Sequence, residues 1–197
     1  MSPPLYLATT SPRRRQLLRR LGIDFRLLRP AGEERPARPG TAPRQFAITS
    51  ARTKALSVCD RVKTGFIVGV DTIVVPGRHI LGKPKDKATA RQMLTLLAGR
   101  SHQVISAVAV VTMPGRRIIT ATEVTTVTFR RLSRAEIAAY INTREPYDKA
   151  GAYALQGRAG LFVSSIRGCY LNVIGLPVPL LLKLLTRAGW KPKVKRR

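Results

Sequence analysis

The chain has 197 residues, 44% of them hydrophobic and 23% charged, the balance of a folded globular protein rather than a disordered one. Lys and Arg number 36 against 10 Asp and Glu, a net charge of +26 that favours polyanionic partners such as nucleic acid or phosphorylated ligands. Two cysteines (Cys59, Cys169) and two histidines (His79, His102) give little to a disulfide framework, a zinc cluster or a His-based triad, and the apolar runs fall far short of the ~20 residues of a membrane helix.

The elements follow an alternating strand and helix pattern, which predicts an α/β fold. Leu5–Ala8 reads as a short buried strand and Thr9-Thr10 as a turn. Ser11-Pro12 starts a helix, with Ser as N-cap and Pro at the first position, and Gly22 ends it. Residues 30–43, rich in Pro and Gly, form a loop. A helix is expected over about 44–58. Phe66–Val75 is the most strand-like run, closed by Pro76-Gly77. Asp86 caps a helix to Leu97, and Gly99 suits its end. Val104–Val111 and Ile118–Phe129 form an antiparallel hairpin about Pro114-Gly115. Ser133 and Glu136 are a capping box opening a helix to about Asn142. Leu161–Ser165 and Tyr170–Ile174 are expected strands around Gly168, and Pro177–Ala188 a final helix. No repeat and no long linker divides the chain, so one domain is expected over 1–190, followed by a basic tail, 191–197. The start, Met1-Ser2-Pro3-Pro4, lacks the basic and apolar regions of a signal peptide, so a cytoplasmic protein with no membrane association is expected.

Four constellations carry chemistry. In Thr9-Thr10-Ser11-Pro12-Arg13-Arg14 a strand feeds a turn and a helix start, whose outward N–H groups and partial positive charge suit phosphate. An ordinary capped helix with solvated arginines has the same local pattern. Asp71 stands alone in an apolar strand, where a carboxylate is costly unless paired or bound to a metal. It is either a satisfied structural Asp or a ligand-site group at a strand end. Lys83, in Leu81-Gly82-Lys83-Pro84, follows Asp71 closely enough for a hairpin to return it to the same cleft. Glu33-Glu34, in a chain poor in acids, could hold a hard cation or could be solvated. Last, Tyr147 to Gly157 forms a tight path of small residues that suits backbone close to a ligand, with Gln156 able to read a base edge.

These motifs, in this order and at these spacings, resemble the Maf family, the septum-formation-inhibitor-like nucleotide pyrophosphatases. The likeness rests on Leu7 to Arg14, Gly69-Val70-Asp71-Thr72, Leu81-Gly82-Lys83-Pro84 and Asp148 to Tyr153. Gln156-Gly157 and Val173 to Pro177 complete it. It implies a two-lobed fold with a central mixed, twisted sheet flanked by helices, a deep nucleotide cleft, and a homodimer. It also implies metal-dependent hydrolysis of a nucleoside triphosphate to the monophosphate and pyrophosphate. The family's proton-accepting Asp falls on Asp71, and its other active-site positions on Ser11, Arg14, Glu34, Lys54 and Lys83. Positions tied to base choice fall on Arg13, Thr72 and Gln156. Arg after Ser-Pro and Thr after the Asp resemble the branch that takes dTTP and UTP. A cation, Mg²⁺ or Mn²⁺, is expected on Glu34 and Asp71. Two rival readings stand beside this one. The first is a nucleic-acid-binding protein using the basic surface and tail; the second is an inactive nucleotide-binding regulator of cell division.

Overall fold

The computed structural model describes residues 3–32, 36–38 and 40–191. The chain opens with β1 (Leu5–Ala8) and α1 (Pro12–Arg20), then β2 (Arg26–Leu28) and α2 (Pro43–Leu56). The long central strand β3 (Gly65–Val75) precedes α3 (Lys87–Leu97), the hairpin of β4 (Ser101–Met113) and β5 (Arg117–Phe129), and α4 (Arg134–Ile141). The chain ends with β6 (Val163–Arg167), α5 (Tyr170–Ile174) and α6 (Val178–Arg187). Together the strands make one six-stranded mixed sheet, ordered β2-β1-β3-β4-β5-β6. Pairing is parallel among β2, β1 and β3 and antiparallel from β3 to β6. The expected mixed sheet with flanking helices is therefore present.

Helix placement follows from side-chain alternation on β3. Phe66, Val68 and Val70 point to one face, where Leu17 and Leu18 of α1 and Val178, Leu181, Leu184 and Leu185 of α6 cover them. Ile67 and Ile73 point to the other face, under Ala47, Ala51 and Ala55 of α2. That alanine stripe lets α2 lie very close to the sheet. Gly69 is the matching concession on the strand: a Cβ there would stand 2.2 Å from the Ala51 carbonyl oxygen. A third apolar cluster, of Leu94, Leu97, Phe129, Ile137, Tyr140 and Phe162, holds α3 and α4 against the far end of the sheet.

The local signals place most ends correctly. Asp86 Oδ1 accepts from the Thr89 N–H at 2.7 Å, and Ser133 and Glu136 complete the capping box. Two expectations need correction. Tyr170–Ile174 is a helix, not a strand: it buries Asn172 and Ile174, and Gly175, at φ +119, closes it as a left-handed cap. The strand expected at Leu161–Ser165 begins later, at Val163, because Arg158–Phe162 coils into a 3₁₀ turn that buries Ala159 and Phe162. The short β2 carries no alternation in sequence and exists through its pairing with β1. Among the described residues, no helix is long and apolar enough to cross a membrane.

Candidate active site

β1 leads through α1 to β2 on one side of itself, and β3 pairs on its other side. Helices α1 and α2 pack on opposite faces. The connections of β1 and β3 leave in opposite directions, and the region beyond the carboxyl ends of such strands is where open α/β sheets bind ligands. β1 stops at Ala8, opposite Gly69, and the next partner on that edge of β3 is an isolated antiparallel bridge between Val74 and Leu81. Between them, Val70 to Ile73 have no neighbouring strand on that side among the described residues. The two faces of the sheet therefore communicate through this gap.

Asp71 and Thr72 lie in the gap, and alternation sends them to opposite faces. Asp71 faces α2, where Lys54 Nζ meets its Oδ1 at 2.6 Å with both side chains largely shielded. This answers how so isolated an acid can be buried: it is paired. Thr72 faces α1, where Arg14 donates from Nη2 to the Thr72 hydroxyl at 3.0 Å and from Nε to the Gly175 carbonyl at 2.8 Å. Thus Arg14, Lys54, Asp71 and Thr72 come together from three elements far apart in sequence. The Val74–Leu81 bridge turns the chain back along β3 and carries the exposed Lys83 toward the level of Thr72, while Gly82 accepts from the Gly151 N–H at 3.0 Å.

Ser11 occupies the N-cap position, but its hydroxyl makes no cap bond. Its own N–H instead donates to Thr9 Oγ1 at 3.1 Å, which shapes the turn into α1. The half-buried Ser11 hydroxyl is thereby left at the mouth of the helix.

Arg13 and Gln156 line one small hollow with Gln16, Leu17 and Arg20. Arg13 is held there by Asp148, 3.1 Å away. Burial pushes the Asp148 carboxyl up, but the hydrogen bond and charge of Lys149 and the charge of Arg13 outweigh it, and the net effect is below the usual carboxylate range. Asp148 therefore stays ionised as the anchor of Arg13.

The family model described as "Maf-like protein" matches residues 4–188. The chain belongs to the Maf-like family. It is 42% identical to the dTTP/UTP pyrophosphatase of Carboxydothermus hydrogenoformans, over 94% of this chain and 99% of that one. It is 44% identical to the dTTP/UTP pyrophosphatase of Anaeromyxobacter dehalogenans strain 2CP-1, over 96% of each. Among solved structures, the Staphylococcus aureus Ham1 protein shares the fold of this Maf-like chain at a TM-score of 0.51 and 12% identity, over 94% of this chain and 99% of that one.

Glu34 (with its neighbour Glu33) lies outside the described residues, as does the tail beyond Lys191. Sequence reasoning missed three residues that contact the candidate ones: Asp148 as the partner of Arg13, and Ser106 and Gly175 around Thr72. Ser106 had a signal, a lone hydroxyl within the apolar run Val104 to Val111 on the strand next to β3. Gly175 had none beyond its place in the motif.

Proposed function

We propose that the protein hydrolyses dTTP and UTP, with modified pyrimidine triphosphates as further substrates, to the monophosphate and pyrophosphate. The observation that carries this reading is the buried Asp71–Lys54 pair in the gap beside the Arg14 fork, a charged acid and two cations at the mouth of a helix. The names of relatives more than 40% identical over nearly the whole chain support the same reaction.

In this reading Ser11, the α1 N-terminus and Arg14 hold the triphosphate. Asp71, oriented by Lys54, accepts the proton of the water that attacks the α-phosphorus. Lys54, Lys83 and Arg14 stabilise the charge that builds on the phosphates, which supplies most of the catalysis in phosphoryl chemistry. Arg13 and Gln156 contact the base, with Asp148 keeping Arg13 in place.

A divalent cation, Mg²⁺ or Mn²⁺, suits this donor set. No group of three or more acidic, His or Cys side chains occurs among the described residues, and a hard cation that keeps its waters needs only a carboxylate or two plus substrate phosphates. Asp71 and Glu34 would hold it, and it would neutralise charge on the phosphate oxygens. The chain acts in this reading as one catalytic domain, in a homodimer.

The test is a panel of nucleoside triphosphates with Mg²⁺ or Mn²⁺, scoring pyrophosphate against orthophosphate. Pyrophosphate from dTTP and UTP is the expected result, and Asp71→Asn should lower kcat by about 10²-fold, the cost of losing a general base. Orthophosphate as product, or a wild-type rate in Asp71→Asn, defeats the reading. A second property, favoured by the net charge of +26, is sequence-independent association with nucleic acid beside the catalysis.

A further inference from the structure

Arg14 is buried, with 9% of its surface exposed, and its fork donates to groups on two distant segments, the Thr72 hydroxyl and the Gly175 carbonyl. The Thr72 hydroxyl lies 2.8 Å from Ser106 Oγ and 3.2 Å from the Gly175 carbonyl oxygen, which also receives Arg14 Nε. Ser106 is fully buried and pairs in register with Thr72 across β3 and β4. The proton positions follow from counting donors. A hydroxyl has one hydrogen and two lone pairs. The Ser106 hydroxyl meets no other acceptor among the described residues, so its hydrogen goes to Thr72. Thr72 then sends its own hydrogen to Gly175, and both its lone pairs are used, one by Ser106 and one by Arg14. The Gly175 carbonyl likewise accepts twice, from Thr72 and from Arg14. The Thr72 hydroxyl and the Gly175 carbonyl are both fully used, in one polarity only.

We infer that Ser106 is a positioning residue for the pyrophosphatase site: it fixes the Thr72 hydroxyl as an acceptor, and Thr72 with Gly175 locks the Arg14 fork toward the proposed phosphate site. The inference rests on the reaction proposed above. It gives Thr72 a role distinct from base contact, because its hydroxyl is wholly committed to Arg14, Ser106 and Gly175. Without Ser106, the Thr72 hydroxyl loses one of the two donors that hold it in place, and the contact that orients Arg14 loosens. The left-handed turn at Gly175 is the third support, since it presents the carbonyl that both Thr72 and Arg14 use.

The test compares Ser106→Ala and Thr72→Val, alone and with Arg14→Ala, by kcat, KM and thermal melting. Loss of one buried hydrogen-bond partner should lower kcat/KM for dTTP by about tenfold in each single variant, mostly in kcat. Neither change should lower it further once Arg14 is Ala, a coupling that a merely structural role would not produce. Wild-type kcat/KM in both single variants overturns the inference, and so do full-sized effects that persist in the Arg14→Ala background. Should Ser106→Ala fail to fold, Ser106→Cys, which nearly keeps the volume but donates only weakly, takes its place under the same criteria. If the wild-type protein releases no pyrophosphate from any triphosphate, the proposed reaction has failed, and calorimetric binding of inorganic tripolyphosphate reads the network instead. Coupled weakening in the same variants then supports it, and binding indifferent to Ser106 and Thr72 overturns it.

Discussion

Replacing Gly69 with Ala tests whether the closeness of α2 to the sheet is what makes the site. The added Cβ would lie 2.2 Å from Ala51 O, 2.7 Å from Ala55 N and 2.9 Å from Ala55 Cβ, where ordinary contact begins at 3.4 Å. The nearest of these are backbone atoms, so no side-chain rotation relieves the clash, and α2 must retreat by about 1 Å. Lys54 sits on α2 between those two alanines and moves with them. Its 2.6 Å contact with Asp71 would then open beyond hydrogen-bonding range. Overpacking of this kind costs about 1–3 kcal/mol of stability. A misplacement of about 1 Å in a catalytic pair can cost about 10²-fold in rate, so kcat/KM should fall by that order and approach that of Lys54→Met. The assay is pyrophosphate release from dTTP, at a temperature where circular dichroism shows the variant folded, alongside a thermal melt. A Gly69→Ala protein with wild-type melting and turnover refutes the packing argument. Lowered melting with unchanged turnover refutes the link from helix position to catalysis.

Burial lowers the His102 imidazole from 6.5 to about 4, so the folded state keeps it neutral where the unfolded chain takes up a proton. Stability from this group is intact above about pH 6.5 and falls as the pH drops toward 4, by about 3 kcal/mol in all. Chemical denaturation at neutral and mildly acid pH checks this: His102→Gln should lose that part of the pH dependence, and an unchanged dependence refutes the assignment. For the basic surface, affinity for a labelled nucleic-acid duplex should fall by about 10³-fold between about 50 and 200 mM salt, while dTTP turnover at saturation changes little. Truncation after Trp190 removes Lys191, Lys193, Lys195, Arg196 and Arg197 and should weaken duplex binding without slowing turnover; no duplex binding at low salt refutes the association.

What could be read from the sequence was what local chemistry encodes. Asp86 before α3 and the Ser133–Glu136 box are caps, and the proline after Ser11 sets the start of α1; all of these act within a few residues of themselves. Tyr170–Ile174 was misread because an apolar run of five residues lacks the length for helical periodicity to show, and its helix is fixed by burial of Asn172 and the turn at Gly175. The Asn172 amide, for instance, donates to the Val104 carbonyl and to Thr125 Oγ1, both at 3.0 Å, partners from distant strands. In the site, Asp71 stood out because a carboxylate in an oily strand needs a partner. That partner, Lys54, carries no local mark: one lysine among many cations becomes special only when an alanine stripe and Gly69 bring α2 down onto the strand. The same holds for Asp148, which acquires its role by reaching Arg13 across the fold.

The least expected feature of the site is that its two halves are built on opposite faces of one sheet. Neighbours on a strand point away from each other, so Asp71 with Lys54 and Thr72 with Arg14 would be separated by the sheet itself in any strand flanked on both edges. In the proposed reaction they act on one ligand, and the shortness of β1 is what allows it. It ends at Ala8, where Thr9 donates its N–H to Leu28 on β2 and the chain turns into Ser11-Pro12. The proline fixes the start of a helix and forbids further strand. Four residues of β3 are left open on that edge until Leu81 returns. The residues that end β1 and the residues that would hold phosphate are the same ones, so the opening and its contents arise from one turn. A chain that kept Asp71, Lys54 and Arg14 but extended β1 by one more turn of pairing would close the gap and leave two charged clusters with a strand between them.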